Sequence, residues 1–93
     1  MLMDKDQIII DDINAIFKLL QKSKYKYNTR SMEQIFELQV RSNRETYQRF
    51  AVTLISLDDI YCNLQTIADN DIQINNVLIM IRKVIIACEQ SKN

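Results

Sequence analysis

A chain of 93 residues with 47% hydrophobic and 26% charged residues is one globular domain, small for a fold that has to bury a core without disulfides or metal. Glycine, proline and histidine are all absent, which argues against turn-rich β architecture, excludes phosphate loops where a Cβ would clash, and removes the commonest general base and zinc ligand. Twelve basic and twelve acidic residues cancel, so no global field draws the chain to nucleic acid or to an anionic membrane.

The first element spans about residues 6–21. Ile9, Ile13, Ile16, Phe17 and Leu20 recur at helical spacing, and Asp4, Asp6, Asp11 and Asp12 lie toward the start, where the helix dipole favours anions. A basic loop, "KSKYKYNTR" over residues 22–30, follows it, with no apolar rhythm. Ser31 and Gln34 then have the spacing of a capping box and predict a fresh helix start.

From Phe36 onward, Val40, Asn43, Tyr47, Phe50, Leu54, Leu57, Tyr61, Leu64 and Ala68 alternate at steps of four and three. That is a heptad seam whose one polar member is Asn43. The stretch "QVRSNRETYQRF" inside it is ambiguous, because Ser42 with Glu45 also reads as a capping box that would begin a new helix. The unbroken phase, and the Arg41–Glu45 and Glu45–Arg49 pairs at i,i+4, favour one long helix over residues 32–68, with Asn43 as a register device. Such a rod is about 55 Å long at about 1.5 Å per residue, too long for its neighbours in one chain to cover.

A turn is expected at "ADNDIQ", with Asp71 capping the next helix. Residues 72–89 are apolar almost all round, from Ile72 through Ile86 and Ala87, which predicts a helix buried on several sides and antiparallel to the second half of the long one. The expected fold is all-α: a bundle of about three helices with one long helix and an antiparallel C-terminal hairpin, completed by self-association.

The start "MLMDKDQIII" lacks the features of a signal peptide, and the apolar segment over 72–88 is interrupted by Asn75, Asn76, Arg82 and Lys83. A cytoplasmic protein with no membrane contact is expected. Cys62 and Cys88 are too few for a disulfide framework and are expected to be small buried side chains in a reducing compartment.

Acidic neighbours invite a catalytic or metal reading. Asp11–Asp12 and Asp58–Asp59 diverge by about 100° on a helix. Glu33 and Glu37 share a face but have no histidine beside them. "DNDIQINN", which includes Asp69 and Asp71, lacks the glycine and final acid of a calcium loop. No catalytic residue, metal, cofactor or small-molecule substrate is therefore expected.

Residues 22–49 hold seven basic residues against three acidic ones. Within them Lys22, Lys24, Tyr25, Lys26, Tyr27 and Arg30 interleave charge with aromatic rings, a pattern that contacts nucleic acid by phosphate pairing and base stacking. The stronger expectation is association. Phe36, Val40, Asn43, Tyr47, Phe50, Leu54, Leu57, Tyr61 and Leu64 form the expected interface, taken up by a second copy, foremost as a dimer, or by a helical protein partner.

Residues 49–90, "RFAVTLISLDDIYCNLQTIADNDIQINNVLIMIRKVIIACEQ", resemble the helical part of GrpE-type co-chaperones. Phe50, Leu54, Ile55 and Asp59 fall on that family's pattern at the end of its long paired helix, and Asp69 and Asp71 fall in its acidic turn. Ser56 stands where the family usually has proline, and the glycine-bearing β-domain that follows the helices in that family has no counterpart here. The resemblance implies a dimerising helical module that binds a DnaK-type chaperone.

Overall fold

The computed structural model describes residues 4–42, 44–67 and 71–91, and among them the chain forms five helices and no strand. In chain order these are α1 (Asp4–Lys22), α2 (Arg30–Val40), α3 (Thr46–Arg49), α4 (Ala51–Ile67) and α5 (Ile72–Ser91).

In α1 the apolar steps place Ile9, Ile10, Ile13, Ile16, Phe17 and Leu20 on one buried stripe. The helix closes where the Ser23 hydroxyl donates to the Leu20 carbonyl at 2.9 Å. The loop then turns at Lys26, whose φ of 49° is a left-handed conformation that is unfavourable for any residue with a Cβ. Thr29 caps α2: its carbonyl accepts the Glu33 N–H at 2.8 Å, and its hydroxyl donates to Glu33 Oε1 at 3.1 Å. The helix thus starts ahead of Ser31 and Gln34, and both of those side chains are exposed.

The single long helix over 32–68 does not form. The chain leaves helical geometry after Val40, becomes extended at Glu45 (φ −58°, ψ 153°), makes the one-turn α3, and enters α4 only at Ala51. The Ser42–Glu45 capping box is not made either, since Ser42 Oγ accepts the Arg44 N–H instead, at 3.2 Å. Local pairs favoured continuity, but long-range contacts outweigh them. Arg49 faces Asp6 at 3.8 Å and the Thr53 hydroxyl donates to Gln39 Oε1 at 2.8 Å across the turn, while the local partner of Arg41 is Glu37, one helical turn back at 2.8 Å. Folding back also stacks Phe36 between Phe17 and Phe50, with ring centroids 5.8 and 5.4 Å apart. Asn43, Ala68, Asp69 and Asn70 lie outside the described residues.

The four longer helices form a ring, in which α1 packs on α2 and α5, and α4 packs on α2 and α5. Neighbours run in opposite directions. Asp6 of α1 meets Thr46 at one end, while at the other Lys24 pairs with Asp71 and Tyr25 reaches Ile67. On the α4–α5 side, Tyr61 lies level with Arg82, and Ile55 with Glu89. The result is an up-down-up-down bundle measuring 39 × 25 × 19 Å, with α3 as a turn at the end of the α2–α4 connection.

Because each helix in such a ring has one outward side, α5 is not buried all round. Ile74, Val77, Ile81, Val84 and Cys88 face the core, whereas Ile72, Ile79 and Ile86 are exposed. Asp71 caps this helix, its Oδ1 accepting the N–H groups of Gln73 and Ile74 at 3.0 and 3.2 Å.

Candidate interaction surface

The described residues of the expected interface lie in or against the core of the single chain. Phe36, Phe50, Leu54, Leu57 and Leu64 are buried in the core, and Val40, Tyr47 and Tyr61 pack against it partly buried. The turn between α2 and α4 brings the two halves of the seam together, so the bundle covers its own apolar stripe and leaves no 55 Å rod for a second chain to sheathe.

The basic stretch divides by residue type. Lys22, Lys24, Lys26 and Arg30 are exposed, but Tyr25 and Tyr27 are half-buried against the core. Tyr25 donates its hydroxyl to the Ile67 carbonyl at 3.2 Å, and the Lys24 ammonium sits 5.2 Å from the Tyr25 ring while pairing with Asp71 at 3.6 Å. Tyr25 thereby ties the α1–α2 loop to the α4–α5 end, and Tyr27 packs partly buried against the core.

Four of the acids are similarly engaged. Glu33 accepts from Gln21 and Thr29, Glu37 pairs with Arg41, Asp11 accepts from Gln7, and Asp71 caps α5. Among the described residues no group of three His, Cys, Asp or Glu side chains is placed to hold a metal ion, and no helix is long and apolar enough to cross a membrane.

One polar cluster is buried. At the end of the bundle near the α2–α4 turn, Asp6 accepts a hydrogen bond from the Thr46 hydroxyl and faces the Arg49 guanidinium. Arg49 Nε and Nη1 are buried without a hydrogen-bond partner among the described residues. The buried Cys88 thiol has its pKa pushed up to about 11, by burial first and then by the negative charges of Asp6 and Glu89. Cys62, by contrast, is exposed on α4, so the expectation that both cysteines are buried holds only for Cys88.

Large apolar side chains do reach solvent on the outer side of the α4–α5 hairpin. Val52 and Ile55 project from α4, and Ile72, Ile79 and Ile86 from α5. Between the two helices runs a shallow groove lined by Tyr47, Ala51, Leu54, Ile55, Asp58, Tyr61, Arg82, Ile85, Ile86 and Glu89. Asp58 and Asp59 mark its α4 side and Arg82 its α5 side; none of the three forms an ion pair with a described residue. Reading 72–89 as a helix buried on several sides missed these positions, although the seven-residue interval between Ile72, Ile79 and Ile86 is visible in the chain. Comparison with protein-family models, characterised proteins and solved structures finds no match to this chain.

Proposed function

We propose that this protein is a non-enzymatic assembly module whose α4–α5 hairpin packs against the same hairpin of a second copy. The observation that carries this reading is the row of Ile72, Ile79 and Ile86, which are 76%, 65% and 43% exposed at seven-residue steps, with Ile55 (65% exposed) across the groove. β-branched side chains at that interval suit knobs-into-holes packing, which would cover apolar area that is exposed in the single chain. Charge selects the partner. A two-fold axis along the helices sets α4 of one copy over α5 of the other at the same level, so that Asp58 and Asp59 meet the other copy's Arg82. A two-fold axis across the helices would set acids against acids.

Sedimentation equilibrium tests this reading. The wild-type chain dimerises; Asp58→Arg and Arg82→Asp each weaken the dimer, and the two together restore it. A wild-type chain that stays monomeric at millimolar concentration overturns the proposal. Ile55 and Asp59, two positions of the co-chaperone resemblance, are exposed on this same side. Capture of a purified DnaK-type chaperone by the wild-type chain, lost in Ile55→Arg, would replace self-packing with the co-chaperone reading.

A further inference from the structure

The heptad phase of Phe36, Val40, Tyr47, Phe50 and Leu54 passes without a shift through a segment that is not helical. No glycine or proline stops the helix there, and the segment makes no side-chain cap at the start of α3. The break is held from outside the segment, by Asp6 on Thr46 and Arg49 and by the Phe17–Phe36–Phe50 stack.

We infer that the turn over residues 41–50 is a two-state hinge, and that when it straightens α2, α3 and α4 fuse into one helix while the α1–α2 arm exchanges onto the α4–α5 hairpin of a second copy. The fused helix over 30–67 is about 57 Å long at about 1.5 Å per residue, well beyond the 39 Å length of the closed bundle, so it cannot stay within one. The second copy supplies what the first gives up. Two fused helices paired antiparallel about the stretch 43–46 set α2 of each copy against α4 of the other, the pairing that the Gln39–Thr53 and Phe36–Phe50 contacts make within one chain. Exchange of an identical element re-forms the same apolar core, and its free-energy balance is set mainly by the hinge. At the hinge, straightening gains helical hydrogen bonds and gives up the contacts of Asp6 with α3.

This state uses the inner seam and does not rest on the outer α4–α5 packing proposed above. The two dimers also differ in shape: hairpins packed side by side keep the length of about one bundle, whereas exchanged bundles join end to end. Glu45→Pro separates the states, because φ of −58° at Glu45 suits proline in the closed turn, while in a fused helix the ring blocks the preceding turn.

The experiment uses the full chain, concentrated, heated to its unfolding midpoint and cooled, then analysed by size exclusion with small-angle X-ray scattering. The wild-type chain is expected to yield a dimer close to twice the monomer's length that persists after dilution. Glu45→Pro yields at least tenfold less of it, and Asp6→Asn several-fold more. Absence of the elongated dimer from the wild-type chain, or an equal yield from Glu45→Pro, overturns the inference. An unchanged yield from Asp6→Asn overturns the part assigned to Asp6. Ile55→Arg, which disturbs only the outer face, leaves the elongated dimer intact if the inference holds; its loss in that variant overturns the inner-seam assignment.

Discussion

The Thr46 hydroxyl donates to the carboxylate of Asp6, 40 residues earlier in the chain, and the Arg49 guanidinium lies 3.8 Å from the same carboxylate. Because this cluster is buried, removing one charge strands the other. Asp6→Ala is expected to lower unfolding free energy by about 3 kcal/mol. Asp6→Leu combined with Arg49→Met should recover most of that loss, since an apolar pair of similar size costs little where an unpaired charge costs much. Urea denaturation of the single and double variants measures the difference; equal losses in the two would show that the pair itself is strongly stabilising.

The aromatic stack gives a second prediction. Phe36, 3% exposed, is wedged between Phe17 and Phe50, so Phe36→Ala should cost about 3–5 kcal/mol. Leu38, two residues on and 67% exposed, should tolerate alanine within about 0.5 kcal/mol. Thermal unfolding of both variants checks the contrast.

These two neighbours also show what the sequence made legible and what it did not. Helical periodicity correctly distinguished the buried side of α2 and α4, because Phe36, Phe50, Leu54, Leu57 and Leu64 are all inside. It could not say which surface buries them, since a stripe covered by a second chain and a stripe covered by a fold-back carry the same pattern. Local signals near residues 41–45 were divided, the Ser42–Glu45 spacing favouring a break and the i,i+4 pairs of Arg41, Glu45 and Arg49 favouring continuity, and the contacts on which the turn depends, Asp6 with Thr46 and Thr53 with Gln39, lie 40 and 14 residues apart in sequence. The exposed row on α5 was hidden for another reason. Isoleucine in every direction resembles full burial until the number of neighbouring helices is known, and a four-helix ring leaves one side of each helix outside.

Thiol chemistry should separate the two cysteines. At pH 8 and under native conditions, iodoacetamide is expected to modify Cys62 and spare Cys88, which is 0% exposed and has its pKa raised to about 11. Mass spectrometry of the peptides reads the result. Burial favours the protonated thiol, so this contribution to stability is complete below the ordinary value of 9.0 and is lost as pH rises through about 11. Across that window the stability of Cys88→Ala should fall less steeply than that of the wild-type chain.

The loop tether gives a fourth prediction. Tyr25→Phe removes the hydroxyl that reaches the Ile67 carbonyl and should cost about 1 kcal/mol in a urea titration. Lys26→Gly relieves the left-handed backbone at φ 49° and should shift stability in the opposite direction, by up to about 1 kcal/mol.

The chain turns back between α2 and α4 and buries its seam within itself. Spin labels at Arg30 and Gln65, both exposed, in a Cys62→Ser background report on it directly by pulsed electron resonance of the dilute protein. The fold-back predicts a separation no greater than about the 25 Å breadth of the bundle. An intramolecular separation near 53 Å, the length of 35 helical residues at about 1.5 Å each, would contradict it.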